Sequence, residues 1–178
     1  SDILKNKDLL PGLLKTCTLG YDGKGQFIIK NTEEVNRLKI DFDKEYILEK
    51  KIILKKEISI IITRFSNNEC LIFDPFENYH VNQILNRSVI PADITKDIFI
   101  KAQQQTKLIA EKLDYIGTMC VEYFIDENNN LFVNEIAPRV HNSGHLTINA
   151  YNVSQFENHI RAVCNLEKIK LKKIHNAE

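Results

Sequence analysis

The feature that most constrains the fold is a pair of strand-like runs separated by three consecutive asparagines. Met119–Ile125 is apolar apart from Glu122, and Leu131–Val133 resumes the pattern after Asn128–Asn130. Two β-rich runs around an asparagine turn are typical of a β-hairpin. With a loop of two or four residues, positions whose numbers sum to 257 face each other, so Glu122 lies opposite Glu135.

The opposed glutamates predict a metal site. Like charges directly opposite each other destabilise an antiparallel pair. A hard divalent cation between Glu122 and Glu135 removes that repulsion, and oxygen atoms are the ligands that magnesium prefers. Two solvated glutamates on an exposed face are the alternative. Because Phe124, Leu131 and Val133 are predicted on the same face, the face is not simply wet, and the sequence favours magnesium.

The segment that follows, Asn134–Thr147, is rich in polar groups. It combines a carboxylate, an arginine, two histidines and several small hydrogen-bonding side chains with one proline and one glycine. A segment that only turned the chain would not require them. Binding and catalytic side chains are concentrated on loops held by a rigid scaffold. The segment therefore indicates a functional site beside the predicted metal.

Composition places few limits on function. A chain of 178 residues is long enough for one medium domain or two small lobes with a real core. Its 24 basic residues balance 24 acidic ones, so bulk charge does not recruit nucleic acid or an anionic membrane. We expect no membrane span and no signal peptide. The cysteines lack any Cys-x-x-Cys pair, which predicts free thiols in the reducing cytoplasm: Cys17, Cys70, Cys120 and Cys164.

Apolar periodicity predicts an α+β fold with mainly antiparallel sheets and flanking helices. A first hairpin surrounds a glycine-rich turn, a short helix covers about 32–38, and strands follow in which Ile58, Ile60 and Ile62 share a face. Two longer helices are predicted over Asp97–Leu113 and, after a Ser154 cap, over Gln155–Cys164. Their apolar positions are Ile98, Ala102, Leu108, Ile109 and Leu113, and then Phe156, Ile160 and Val163.

A second motif lies in the turn of the first hairpin. It consists of Gly20, Tyr21, Asp22, Gly23, Lys24, Gly25 and Gln26. Asp-Gly is a usual hairpin-turn dipeptide, but three glycines in six residues exceed what one turn requires. Glycines let the backbone approach a ligand and point amide hydrogens at phosphate, and Lys15 would add positive charge. From the residues alone, a turn and a phosphate-binding loop both remain open.

A third candidate is an apolar strand that ends in charged residues. The backbone of this strand end would bind an adenine edge, and Glu57 would accept hydrogen bonds from ribose hydroxyls. Exposed strand-end charges are the simpler interpretation, and His80 is likewise more often a packed or surface histidine than a ligand. The strand-end residues are Glu49, Lys50, Lys51 and Ile52.

In this order, the motifs resemble those of ATP-grasp enzymes. The similarity is greatest to the N5-carboxyaminoimidazole ribonucleotide synthetase family, the ATPase of the purine pathway. Its Asn-Glu-Ile-Ala-Pro-Arg-Pro-His-Asn-Ser-Gly-His motif is nearly reproduced at 134–145, and 154–157 continues the match. The resemblance covers nearly the whole chain. It implies the two-lobed ATP-grasp fold, with residues 1–65 as the small lobe and 66–178 as the larger lobe.

The resemblance implies carboxylation of 5-aminoimidazole ribonucleotide with ATP and bicarbonate. ATP lies between the lobes, bicarbonate attacks the γ-phosphate to give carboxyphosphate, and the exocyclic amine takes the carboxyl group. Magnesium on Glu122 and Glu135 would offset phosphoryl charge. Arg139 would hold the planar anion bidentately, and His141, the second catalytic residue, would face the ribonucleotide. The other expected ligands are Lys15, Gly20–Gln26, Glu49–Ile52, Glu57, His80, Asn134 and Glu135 for ATP, and Asn142, Ser143 and His145 for the ribonucleotide.

Two departures from the family pattern affect what to expect. Val140 replaces a proline, which loosens a backbone constraint but removes no chemical group. The family's N-terminal domain and C-terminal basic residues are not recognisable, and the start at Ser1 suggests an excised piece. Three functions remain open: the ATP-grasp part of this ligase, a non-catalytic nucleotide-binding module, and a ligase with another acceptor. We expect the intact enzyme to be a homodimer.

Overall fold

The computed structural model describes residues 2–18, 25–35, 37–38, 40–41 and 43–178. The chain divides into two compact units, Ser1–Ile53 and Leu54–Glu178. This boundary lies before the predicted one near residue 65, because Leu54–Arg64 is a central strand of the second unit's sheet. Within the described residues, no helix has both the length and the apolar character needed to cross a membrane.

In the described part of the first unit, three strands form an antiparallel sheet of order β2-β1-β3. The predicted first hairpin is confirmed, and Lys15 pairs with Gln26. Asn31 caps the short helix through its Oδ1, which accepts from two backbone N–H groups. The elements are 3-10 turns at Asp2–Lys5 and Lys7–Leu9, then β1 Gly12–Thr16, β2 Gln26–Ile29, α1 Thr32–Val35 and β3 Tyr46–Lys50.

The second unit, described throughout, contains a six-stranded antiparallel sheet of order β7-β6-β4-β8-β9, with β5 also paired to β4. One strand, β7, was not predicted, because its three consecutive polar residues, Asn86, Arg87 and Ser88, interrupt the alternation that indicates a strand. The elements are β4 Leu54–Arg64, β5 Cys70–Ile72, β6 Phe76–Val81, β7 Ile84–Val89, α2 Lys96–Lys112, β8 Gly117–Asp126, β9 Leu131–Ala137, a 3-10 turn Asn142–Gly144, α3 Thr147–Ala150 and α4 Gln155–Val163.

One face of this sheet packs against α2. Ile58, Ile60 and Ile62 lie on that face with alternate residues of β8, as the alternation in the sequence predicts. The helix contacts them through Ile98, Ala102 and Ala110. Two predicted apolar positions of α2 were wrong, because Leu108 and Leu113 are exposed. Thr106 is buried instead, because its hydroxyl bonds to the hydroxyl of Tyr123 at 2.8 Å.

The last helix begins as predicted but faces the other way. Ser154 Oγ accepts from the backbone N–H of Glu157, which confirms the cap. The predicted apolar side is exposed, and the side chains that α4 buries are those of Gln155, Asn158 and Ala162. A polar inner face suits this helix because Gln155 binds the backbone of the loop described below. The exposed apolar residues are Phe156, Ile160 and Val163.

Candidate functional site

A β-bulge places Glu122 opposite Glu135. Next to the hairpin loop, the residue numbers of paired positions sum to 256. From the Glu122–Glu135 pair to the end of the ladder away from the loop, they sum to 257. Asn134 is the extra residue in β9 that produces this shift. Without the bulge, Glu122 would face Asn134, and Glu135 would project from the other face of the sheet. The predicted opposition is therefore confirmed, although the register expected next to the loop was wrong.

The bulge also changes which apolar side chains accompany the glutamates. Leu131 and Val133 lie on the opposite face, against the α2 side of the sheet, so their predicted place was wrong. Phe124 and its partner Phe132 share the face with Glu122 instead. Glu122 is still largely buried, with 17% of its side chain exposed.

The electrostatics of the pair favour a cation. Burial, and then the neighbouring Glu135 carboxylate, raise the pKa of Glu122. Between described residues, neither glutamate forms an ion pair with a lysine or arginine, and the nearest ring nitrogen to Glu122 Oε1 is Nε2 of His141 at 3.5 Å. Nor do three His, Cys, Asp or Glu side chains gather into a metal cluster there. Two carboxylates without a protein cage are the kind of donor set that magnesium uses with phosphates and water.

His141 and Arg139 border this pair. His141 Nε2 lies 3.5 Å from Glu122 Oε1, and its Nδ1 lies 2.9 Å from Ser143 Oγ. Burial, followed by the nearby Arg139 charge, lowers the pKa of His141 to about 4, so this ring is neutral at neutral pH. Arg139 is exposed and donates to the Val140 carbonyl at 2.9 Å. Its charge lowers the pKa of Glu122 but does not outweigh the burial.

The side chain of Gln155, which is fully buried, holds the backbone of the loop after β9. Its Oε1 accepts from the backbone N–H of His141 at 3.0 Å, and its Nε2 donates to the carbonyl of the same residue. Thr147 Oγ1 donates to the Gly144 carbonyl at 2.6 Å and accepts from the Gln155 backbone N–H. A Cβ on Gly144 would meet the Gln155 side chain at 2.7 Å, so the glycine permits this close approach.

The three predicted ribonucleotide ligands are not equally accessible. Asn142 and His145 are exposed, and the His145 ring stacks on Phe156 with centroids 5.9 Å apart. Ser143 is fully buried, and its hydroxyl bonds to Ser59 and His141. This differs from the expectation that Ser143 faces the substrate, because the 3-10 turn directs its side chain into the unit.

Ser59 and Asn78 also contribute to the site, although neither was predicted. Asn78 Nδ2 donates to Ser59 Oγ at 3.0 Å, and Ser59 donates to Ser143 at 2.7 Å. Both residues are buried. The signal available in the sequence was the alternation along β4, where Ser59 interrupts a run of isoleucines.

Glu57 and His80 form a second charged group on the same face of the sheet. They lie on neighbouring strands, and His80 Nδ1 is 2.9 Å from Glu57 Oε2. The contact is an ion pair when the His80 ring is protonated. It raises the pKa of His80 above the usual 6.5, while burial acts in the opposite direction. Glu122 raises the pKa further, which places the two charged groups within electrostatic reach of each other.

We expect His80 to titrate above 6.5 in an NMR titration, and we expect Glu57→Gln to lower that pKa. A raised pKa in the folded state stabilises the protein at pH values below the unfolded pKa, and this stabilisation is lost as the pH rises through the folded pKa. Urea unfolding should therefore show the largest loss for Glu57→Gln in the acidic range. Glu127→Gln, at the exposed hairpin turn, is the control. An unchanged His80 pKa in Glu57→Gln would contradict the ion pair.

In the first unit, several predicted nucleotide ligands have partners within the chain. Lys15 Nζ lies 2.7 Å from Glu49 Oε2, so two of the predicted ligands pair with each other. The Lys51 backbone N–H donates to Pro11, and Lys50 lies in the β1–β3 ladder. Ile52 is half-buried. Of the glycine-rich motif, Gly25 and Gln26 are described, with Gly25 at φ +75°, and Gly20, Tyr21, Asp22, Gly23 and Lys24 lie outside the described residues.

The fold, with its antiparallel sheets and flanking helices, is that of the ATP-grasp class of ATP-dependent ligases, and the chain belongs to the ATP-grasp family. The ATP-grasp domain matches residues 4–156. Its relatives within that family are N5-carboxyaminoimidazole ribonucleotide synthases, which confirms the resemblance found in the sequence. The protein of Staphylococcus aureus (strain MRSA252) is 46% identical over 154 residues, which are 86% of this chain and 41% of the relative. The protein of Bacillus subtilis (strain 168) is 45% identical over 158 residues, which are 88% of this chain and 42% of the relative.

Solved structures agree with the sequence relatives. The N5-carboxyaminoimidazole synthetase of Staphylococcus aureus complexed with ADP matches with a TM-score of 0.90 and 42% identity. The match covers 98% of this chain and 48% of the chain of that structure. The enzyme of Aspergillus clavatus in complex with ADP and 5-aminoimidazole ribonucleotide has a TM-score of 0.84 and 28% identity, with 98% and 47% coverage. The chain thus spans less than half the length of the relatives that it matches.

Proposed function

We propose that the chain is the ATP-grasp part of an enzyme that carboxylates 5-aminoimidazole ribonucleotide with ATP and bicarbonate. The observation that carries this proposal is the bulge-dependent opposition of Glu122 and Glu135 beside Arg139 and His141. The names of the relatives support the acceptor, and one related structure is described with both ADP and this ribonucleotide. We further propose a cytoplasmic enzyme that is a homodimer when intact.

The phosphoryl-transfer step assigns a task to each of these residues. Glu122 and Glu135 would hold magnesium, which when bound neutralises phosphate charge and aligns the γ-phosphate. A bicarbonate oxygen attacks the γ-phosphorus, the bond to the bridging oxygen breaks, and ADP leaves. Arg139 would orient bicarbonate and then carboxyphosphate through two parallel N–H donors. Its exposure, and its hydrogen bond to a neighbouring carbonyl rather than to a carboxylate, support its availability for an anion.

The second step uses the loop after β9. The exocyclic amine attacks the carboxyl carbon of carboxyphosphate, phosphate leaves, and the amine loses a proton to give N5-carboxyaminoimidazole ribonucleotide. We propose that Asn142 and His145 contact the ribonucleotide, since both are exposed on this loop. Ser143, which is buried, would act on this loop through its contact with His141. The backbone anchoring by Gln155 would hold the loop in place without a large rearrangement.

Each unit, taken by itself, carries groups proposed for nucleotide binding. In the second unit these are Glu57, His80 and Asn134, of which Asn134 is the bulge residue. In the first unit, Lys15 and Gly20–Gln26 would contact phosphate, and the backbone of Glu49–Ile52 would contact adenine. Lys15 already pairs with Glu49, so nucleotide binding would add to or replace that ion pair.

A nucleotide-binding module without turnover is the alternative function, and the response to the ribonucleotide separates it from the carboxylase. Such a module would bind Mg-ATP, yet phosphate release would not respond to the ribonucleotide. A ligase with another acceptor would respond to a different amine.

A segment exchange tests the proposal. The matching 158-residue region of the Bacillus subtilis relative is replaced by this chain's sequence, and ADP formation is measured with and without bicarbonate and the ribonucleotide. We expect turnover that requires both. The matched control carries the Staphylococcus aureus segment at the same junctions, which reports whether the junctions are tolerated. A chimaera that folds and binds Mg-ATP but ignores the ribonucleotide, while the control responds, would overturn the carboxylase proposal.

A further inference from the structure

We propose that Ser143 is a positioning residue that holds the His141 ring with its proton on Nε2, so that His141 donates toward Glu122 instead of accepting a proton from substrate. This inference deepens the proposed function, because Glu122 matters there as a magnesium ligand. It concerns a buried hydroxyl that was expected to contact the ribonucleotide.

A chain of hydrogen bonds crosses the sheet and ends at this histidine. Ser88 Oγ donates to Asn78 at 2.8 Å, Asn78 donates to Ser59 at 3.0 Å, and Ser59 donates to Ser143 at 2.7 Å. Ser143 Oγ then lies 2.9 Å from His141 Nδ1. Ser59, Asn78 and Ser143 are buried, so water does not compete for these bonds.

The direction of the last bond follows from a group that cannot rotate. The backbone N–H of Ser143 points at His141 Nδ1 from 3.4 Å. A backbone amide is always a donor, so a proton on Nδ1 would face another proton. The Ser143 hydroxyl accepts from Ser59 and lies 2.9 Å from Nδ1, so it can donate to Nδ1 as well. The backbone amide, with the hydroxyl beside it, therefore favours the tautomer in which Nδ1 presents its lone pair.

The other ring nitrogen then carries the proton. In neutral imidazole one nitrogen donates and the other accepts. His141 Nε2 faces Glu122 Oε1 at 3.5 Å, and a donor there orients one carboxylate oxygen. Carboxylates that bind metals are themselves hydrogen-bonded by outer-shell groups, whose loss typically weakens metal binding. Ser143 thus acts on Glu122 through His141.

The tautomer is measured by long-range proton–nitrogen NMR on the 178-residue chain with labelled histidine, without metal or nucleotide. We expect His141 Nδ1 at an unprotonated shift and Nε2 at a protonated shift at neutral pH. Ser143→Ala keeps the backbone N–H at 3.4 Å from Nδ1 but removes the closer hydroxyl at 2.9 Å, so this pattern should weaken into a mixture of tautomers. Thr63→Val is the matched control, because it removes a fully buried hydroxyl on the same sheet that bonds to Thr118 and to no member of the hydrogen-bond chain from Ser88 to His141.

The consequence for the metal is measured separately. We expect Ser143→Ala to weaken magnesium-dependent ATP binding roughly 10- to 100-fold, with metal-free nucleotide binding unchanged. Ser59→Ala should act in the same direction and serves if Ser143→Ala does not fold. A protonated Nδ1 in the unmutated chain, or magnesium affinity altered no more than by Thr63→Val, would overturn the inference. If the unmutated chain showed no magnesium-dependent binding, the proposed function would fail instead, and the tautomer would still decide the role of Ser143.

Discussion

Glu122→Gln is expected to weaken magnesium-dependent ATP binding by more than about 100-fold, since loss of an outer-shell group alone costs 10- to 100-fold. Binding of nucleotide without metal should stay close to that of the unmutated chain. The amide keeps the shape of the side chain and removes the charge that a hard cation requires. Glu135→Gln should act in the same direction, because the bulge brings both carboxylates to one place.

The experiment separates metal binding from folding. Calorimetric titration with ATP, with and without magnesium, is carried out on Glu122→Gln, Glu135→Gln and the control Glu127→Gln. Burial raises the pKa of Glu122, so the ionised form is unfavourable in the folded state above its unfolded pKa of about 4.5. Without metal, Glu122→Gln should therefore be at least as stable as the unmutated chain at neutral pH. Equal losses with and without magnesium would contradict the metal assignment.

The comparison of sequence and structure is most informative at this pair. The opposed glutamates were predicted from a simple loop register, yet the register next to the loop is shifted by one residue. The insertion of Asn134 restores the opposition. A bulge has no periodic signal in the sequence, because it consists of a single residue that breaks the alternation. The strand alternation of β4, by contrast, follows directly from the spacing of Ile58, Ile60 and Ile62.

The loop after β9 shows a different limit. Its polar residues were recognised as functional, but which of them face inward depends on a helix far along the chain. Gln155 at the start of α4 binds the His141 backbone, and the 3-10 turn buries Ser143. Apolar spacing located one side of α4, but that side is exposed. The inner face is chosen by hydrogen-bond partners that are not visible in the periodicity.

Arg139→Ala is expected to lower bicarbonate-dependent turnover by about 10²- to 10³-fold, the loss typical of removing one group that stabilises transition-state charge. ATP affinity should remain nearly intact, because the proposed contact is to bicarbonate and carboxyphosphate. Arg139→Lys should not restore turnover, since an ammonium cannot reproduce a bidentate contact with a planar anion. Steady-state bicarbonate saturation, measured in the segment-exchange enzyme, gives the turnover, and titration gives the ATP affinity.

The competing explanation is that Arg139 pairs with Glu135 and only steadies the end of β9. Among the described residues no such ion pair is formed, and the guanidinium donates to the Val140 carbonyl. A structural arginine would lower stability and magnesium affinity together when removed, and the residual activity would keep its bicarbonate response. Arg161→Ala is the matched control, because Arg161 is tied to Glu157 on α4. An Arg139→Ala enzyme with unchanged bicarbonate saturation would make Arg139 a structural residue, and the anion would then need another partner.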